Sequence, residues 1–377
     1  MRIVSVEARP WTLSLRAPFA IARRTAYAAH NVRIAVRTDD LAVVGWGESA
    51  PVAYVTGETV PSVQEAVAQA APLFAGQDAG RLGPLWAKAS EALPDAPSAR
   101  AGLEMALADA WGKHWRMPLW QHFGGMARTL ATDITIPLVS PTQAGILAAE
   151  AWRDGFRALK IKVGDPGGHE ADLARIAAIV RAAPLARLRI DANQAFAPDD
   201  AVSFARHVLS TGALVDLLEQ PVAKEDVPGL KYVRERVSVP VFADEAACDM
   251  SHVLRLLRED AVDGVNVKLM KSGLAGAGQI VALCRAWGKK LMLGCMLESG
   301  LGIAAAAQMA GGLGAFDYLD LDSHQLLSPI AGLSGGFACR GGALTVGDEN
   351  GQSAGWGVAV PEFLEEKGPE GADFAGT

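Results

Sequence analysis

The sequence predicts a mixed α/β protein in which a small antiparallel sheet is followed by a barrel of parallel βα units. Three observations carry this reading. Residues 3–55 hold short runs that alternate apolar and polar side chains, and the chain then turns helical to about Trp120. Beyond Thr132 short apolar segments recur between Ala/Leu-rich stretches, at roughly the 25-residue interval of successive βα units.

The alternating runs RIVSVEAR, NVRIAVRT and LAVVGWGES have the period of half-buried strands and predict the antiparallel sheet. From Ser62 to Trp120 the spacing is helical, and Leu103, Ala106, Leu107, Ala110 and Trp111 fall on one face expected to be buried. Gly124-Gly125 then punctuates the chain. Eight barrel strands are expected: TDITIPL from Thr132, ALKIKV from Ala158, LRIDAN from Leu188, VDLLEQP from Val215, VPVFADE from Val239, GVNVKLM from Gly264, KLMLGCM from Lys290 and YLDLDS from Tyr318. Beyond Ser328 the chain is Gly-rich without a clear final helix, and it is expected to return to the N-terminal region.

The 377 residues are half hydrophobic and one-fifth charged, with a formal charge of −7 and no Lys/Arg-rich run. That balance is globular and leaves no basic footprint for nucleic acid. The start, MRIVSVEARPWTL, alternates like a strand and lacks the apolar core of a signal peptide. The weakly polar stretch Ser299–Phe316 is Ala/Gly-rich, whereas a membrane span needs about 20 strongly apolar residues; a buried helix is expected there. Cys248, Cys284, Cys295 and Cys339 show no CxxC spacing. A reduced cytoplasmic protein that binds neither membrane nor nucleic acid is therefore expected.

Barrel strands buried on both faces should read as Val, Ile and Leu, so their polar residues are informative. Lys160 and Lys162 lie in the second strand, Asp191 in the third, Glu219 in the fourth, Asp244 and Glu245 at the end of the fifth, Lys268 in the sixth, and Asp320 and Asp322 in the eighth. Each sits near the C-terminal end of its strand, which places them together on the rim where barrel enzymes keep their sites. Three carboxylates there, Asp191, Glu219 and Asp244, repel one another unless a cation lies between them. Oxygen ligands without His or Cys point to Mg²⁺ or Mn²⁺. Any one acid alone reads as a helix cap; three at matching positions read as a metal site. Lys160 and Lys162 are two apart and point the same way, with Lys268 on the opposite wall. A substrate carboxylate on the metal would thus have one lysine near each face of its α-carbon. Desolvation and a neighbouring cation are expected to lower such a lysine from about 10.4 toward 7–8.

KIKVG, DANQ, LEQP, ADE and NVK, in this order and spacing, resemble the muconate-lactonizing branch of the enolase superfamily. The resemblance covers residues 3–345 and is reinforced by SARAGLEMALADAWGK followed by PLWQHFGG. It implies a modified TIM barrel, (β/α)7β, with an N-terminal α+β capping domain: cap 1–125, barrel 126–328, and a segment 329–377 returning to the cap. It implies Asp191, Glu219 and Asp244 as Mg²⁺ ligands, Lys162 and Lys268 as the acid/base pair, and Lys160 on the substrate carboxylate. GCMLES (Gly294–Ser299), DLD (Asp320–Asp322), PVAYVTGET and TDIT resemble the dipeptide epimerases. That narrower resemblance implies Asp320 and Asp322 on the substrate ammonium, with Thr135 and Cys295 beside the substrate. The implied reaction is epimerisation of the C-terminal residue of a dipeptide by 1,1-proton transfer through an enediolate. The expected assembly is a homo-oligomer of no stated order.

Two positions depart from the resemblance. Ser323 follows the second aspartate where a glycine is common, and Ala26 aligns with a side-chain-binding arginine, Arg23 and Arg24 preceding it. Other readings stay open at this point. An N-acylamino acid racemase, o-succinylbenzoate synthase or muconate cycloisomerase would share the metal and lysines. A Schiff-base aldolase would use a sixth-strand lysine, and a non-catalytic barrel would use neither.

Overall fold

The computed structural model describes residues 1–22, 24–347 and 350–362; Arg23 and the end of the C-terminal segment, 363–377, lie outside them. The three alternating runs form one antiparallel sheet, β1 (Ile3–Ile21), β2 (Arg24–Thr38) and β3 (Val44–Ser49), in that order. β1 outruns its expected segment because it resumes pairing at Phe19 after an irregularity beyond Ser14. Helices α1 (Ala53–Thr56), α2 (Val60–Ala70), α3 (Leu82–Ala92) and α4 (Pro97–His114) follow. α2 begins with a capping box in which the Thr59 and Ser62 hydroxyls accept from each other's backbone N–H.

The sequence assigned α4 a single buried face, and here the structure differs. Ala101, Gly102, Glu104, Met105, Ala108 and Asp109 are buried as well, while Trp111 is half-buried. The reason is its position: α4 lies between β3 and a helix of the barrel. Small residues permit this. A Cβ at Gly47 would stand 2.0 Å from the Gly102 carbonyl oxygen, so strand and helix meet backbone to backbone.

After α5 (Leu119–His122) and β4 (Thr129–Ala131), the barrel strands are β5 (Ile134–Ile136), β6 (Ala158–Lys162), β7 (Arg187–Asp191), β8 (Leu214–Glu219), β9 (Val241–Ala243), β10 (Gly264–Lys268), β11 (Lys290–Gly294) and β12 (Tyr318–Asp320). Six fall inside their expected segments, while β7 and β8 each begin one residue earlier; all pair in parallel, and their order around the sheet is the order in the chain. They alternate with α6 (Pro141–Arg153), α7 (His169–Ala182), α8 (Pro198–Ser210), α9 (Val227–Arg234), α10 (Met250–Arg258), α11 (Leu269–Ala286) and α12 (Gly300–Leu313), which gives the (β/α)7β pattern. β5 and β12 end the ladder, and the TDIT segment closes the seam between them. Asp133 N and Thr132 Oγ1 both donate to Leu319 O, Leu321 N donates to Thr132 Oγ1 at 2.9 Å, and Thr135 N donates to Asp322 Oδ2 at 2.6 Å. The Ala-rich stretch is the buried helix α12, and no helix among the described residues is long and apolar enough to cross a membrane. All four cysteines are free.

Beyond α13 (Ser323–Leu326), β13 (Ser334–Gly335) pairs with β16 (Val358–Ala359), and β14 (Phe337–Arg340) and β15 (Ala343–Val346) join β4 in a second small sheet. Trp356, fully buried, donates its indole N–H to Met105 O and its backbone N–H to Asp109 Oδ1, which fastens this segment to α4. Two cap glutamates reach into the barrel. Glu48 at the end of β3 accepts from Ser299 N, Ser299 Oγ and Gly302 N, where α12 begins. Glu104 of α4 accepts from Ala275 N at 3.0 Å, just after Gly273 (φ 71°) breaks α11. Each carboxylate meets the free N–H groups and positive end of a helix start.

Candidate active site

The strand period brings the ionisable residues together. Lys162 pairs in register with Asp191, and Asp191 with Glu219, so their side chains stand side by side at the C-terminal rim. Lys160 Nζ lies 2.6 Å from Asp320, 2.9 Å from Glu219 and 3.3 Å from Asp191. Lys162 Nζ donates to Asp191 at 2.6 Å, and Lys268 Nζ, four strands further round, donates to Asp244 at 2.8 Å. Gly294 in β11 leaves room for this wall: a Cβ there would come within 2.7 Å of the Asn266 side chain and 3.0 Å of Lys268 Cε.

The electrostatics are those of a buried multi-charge cluster. Burial pulls Lys268 down, but Asp244, with Glu219 and Asp320, outweighs it and the ammonium is held above its ordinary value. Lys160 is raised well above its ordinary range in the same way, against its burial, by Asp320, Glu219 and Asp191. In this arrangement the Lys268 ammonium touches Asp244 of the neighbouring strand, a contact that the expected depression did not include. Asp191 and Asp244 resist their burial and stay low, Asp191 through Lys162 and Lys160 and Asp244 through Lys268 and Lys271. Burial and then Asp191 push Glu219 up to about 7. Its Oε2 sits 2.9 Å from Lys160 Nζ but without hydrogen-bond geometry. Asp191, Glu219 and Asp244 offer a buried all-oxygen donor set of the kind that suits a divalent cation, with Lys160, Lys162 and Lys268 lying against it in this structure.

A second carboxylate group flanks the first. Oxygens of Asp133, Asp320 and Asp322 all lie within 4.8 Å of one another, the group of metal-binding type that stands out among the described residues. Asp320 is held low, against its burial, by Lys160. Burial and then Asp320 push Asp322 up to about 6.

Above these groups opens a small cleft of about 80 Å³. Thr135, Lys160, Lys162, Asp244, Lys268, Cys295, Asp320 and Asp322 all line it, whereas Asp191 and Glu219 are wholly buried and do not. The cap contributes Phe19, Ile21 and Tyr54. Arg24 also lines the cleft, its guanidinium 5.1 Å from the centre of the Tyr54 ring. Burial, with Asp320 and Asp322, pushes the Cys295 thiol well up, which leaves it a neutral wall rather than a nucleophile.

Several supporting residues were not singled out from sequence. Lys271 donates to Asp244 Oδ1 at 2.7 Å and to the carbonyls of Asp244 and Asn266. Asn266 Nδ2 donates to Glu219 Oε1 at 2.7 Å, and Gln220 Oε1 accepts from Asp244 N. Lys271 carried a signal in its apolar flanks, VNVKLMKSG. Asp133 carried none beyond its place in TDIT.

A capped parallel barrel with lysines and carboxylates at its mouth defines an enzyme of the enolase type. The chain belongs to the mandelate racemase/muconate lactonizing enzyme family: residues 3–124 match that family's N-terminal domain and residues 144–363 match the enolase C-terminal domain-like model. It is 34% identical over 349 residues to the L-Ala-D/L-Glu epimerase of Bacillus subtilis strain 168, covering 92% of this chain and 94% of that protein. It is 36% identical over 347 residues to the aromatic dipeptide epimerase of Herpetosiphon aurantiacus, covering 92% and 96%. Among solved structures, the dipeptide epimerase of Enterococcus faecalis V583 complexed with Mg and L-Leu-L-Tyr aligns with a TM-score of 0.89 at 33% identity, covering 96% of this chain and all of that one.

Proposed function

We propose that this chain epimerises free dipeptides at their C-terminal residue. The observation that carries this is Asp322, a buried carboxylate in the cleft that makes neutral contacts with Thr135 and no ion pair among the described residues. A buried anion without a partner is costly, and a substrate ammonium has the charge and the three N–H donors to match it. Asp320 supplies a second acceptor on the same strand end. The epimerase names of the relatives and the Mg- and dipeptide-bound neighbour support the same reading.

Asp191, Glu219 and Asp244 would hold Mg²⁺, or Mn²⁺ in its place, oriented by Asn266 and Lys271. When bound, the cation offsets these carboxylates and the charge that develops on the substrate carboxylate as its α-proton leaves. Lys160 Nζ steadies that carboxylate. Lys162 Nζ and Lys268 Nζ stand on strands across the cleft; one takes the α-proton from its face and the other delivers a proton to the opposite face, which inverts the centre. Thr135 and Cys295 flank the rest of the dipeptide.

The test is α-deuterium uptake and inversion in D₂O across free dipeptides and their N-acetyl forms. Acetylation removes the charge, and losing the partner of a buried charge costs about 2–5 kcal/mol, so kcat/KM should fall at least about 30-fold. Asp322→Asn should weaken free dipeptides far more than acylated ones, and exhaustive EDTA treatment should remove activity until Mg²⁺ is restored. If N-acylamino acids prove the better substrates, racemase replaces dipeptide epimerase.

A further inference from the structure

We infer that Asp133 sets the demand for a charged amino group by holding Arg189, so that Asp322 remains free for the substrate. The inference rests on the dipeptide reading and goes one residue deeper. Asp133 is fully buried, does not line the cleft, and accepts from Arg189 Nη1 through Oδ2 at 2.8 Å. Its Oδ1 has no hydrogen-bond partner among the described residues. The same Arg189 nitrogen donates to Leu319 O at 2.6 Å, and the guanidinium rides 4.9 Å from the centre of the Tyr318 ring. Three carboxylates thus crowd within 4.8 Å of one another, and the protein supplies ion pairs to two of them, Arg189 to Asp133 and Lys160 to Asp320.

Asp322 is the member that both lines the cleft and lacks an ion pair among the described residues. The position of Arg189 makes this arrangement conditional. Its guanidinium is already bonded beside β12 and is held at its Nε end by Asp216, 3.7 Å away, so without Asp133 as counter-ion the Nη1 end would be drawn to Asp320 and Asp322. An internal cation would then fill the place meant for the substrate's ammonium. Asp133 acts through Arg189 and Asp322 and touches no substrate, so it is a positioning residue. Its backbone serves a separate purpose at the seam, which an amide side chain leaves intact.

Asp133→Asn is expected to raise KM for free dipeptides by about tenfold or more while kcat stays within about threefold, and to collapse the ratio of free to N-acetyl kcat/KM toward one. The double variant Asp133→Asn/Arg189→Met removes competitor and counter-ion together, a change buried pairs tolerate better than loss of one partner, and should restore most of the wild-type ratio. An Asp133→Asn enzyme that keeps the wild-type ratio overturns the inference, as does a double variant no better than the single one. If the single variant does not fold, the ratio in the double variant decides alone. Wild-type preference for N-acetyl substrates would instead sink the dipeptide reading, an outcome read before any variant is made.

Discussion

Lys162 and Lys268 each rest on a carboxylate of the adjoining strand, Asp191 and Asp244, so the two proposed bases are held apart by the same groups proposed to bind the metal. Replacing either with alanine should abolish epimerisation, while α-proton exchange of one stereoisomer only should survive through the lysine that remains; chiral analysis combined with deuterium uptake checks both. Full epimerase activity in either variant would show the assignment wrong. The candidate site was legible because its residues interrupt apolar strands: a Lys in ALKIKV or an Asp in LRIDAN is out of place in a strand buried on both faces, and several at matching positions point to chemistry where one alone would not. What was not legible depends on contacts between distant strands. The expected lysine depression counted burial and a nearby cation, but nothing in the sequence says that Lys268 touches Asp244. Asp133 and Asn266 read as ordinary strand residues until the barrel places them against Arg189 and Glu219.

At the scale of elements, β3 and α4 show how composition can override periodicity. The spacing of Leu103, Ala106, Leu107 and Ala110 predicted one face, yet Ala99, Ala101, Gly102 and Ala108 are buried too. Ala and Gly around the whole circumference are the mark of a helix packed on several sides, and that signal was present in SARAGLEMALADAWGK. The barrel strands were legible because each carried its own pattern. The length of β1 was not, because its extension past Phe19 depends on pairing with β2. Since a Cβ at Gly47 would overlap the Gly102 carbonyl, Gly47→Ala should force α4 away from β3 and destabilise the protein by about 1–3 kcal/mol, the scale of overpacking. A lowered midpoint in chemical denaturation with an unchanged slope checks this; an unchanged midpoint would refute the contact.

Across the whole molecule, the buried glutamates between cap and barrel make stability depend on pH. Burial pushes Glu104 to about 7, and burial with the neighbouring Glu48 pushes Glu298 to about 8. Both values lie above the usual range near 4.3 of an exposed glutamate. Below that range both groups are protonated folded or unfolded, and their contribution is intact. As pH rises through 7 and 8 the folded state must ionise them in place, and that contribution is lost. The melting temperature should therefore decline from about pH 5 toward pH 9, and Glu104→Gln together with Glu298→Gln should flatten the profile; a flat wild-type profile would contradict it. The reach of Glu48 and Glu104 into the starts of α12 and α11 has one more consequence. Neither part of the chain completes its own hydrogen bonding, so cap and barrel should melt as one cooperative unit, with a single calorimetric peak. A cap so fastened does not swing as a door. On the cap side the cleft is walled by Phe19 and Ile21 of β1 and Tyr54 of α1, so access to it should be set by these segments and not by the two parts coming apart.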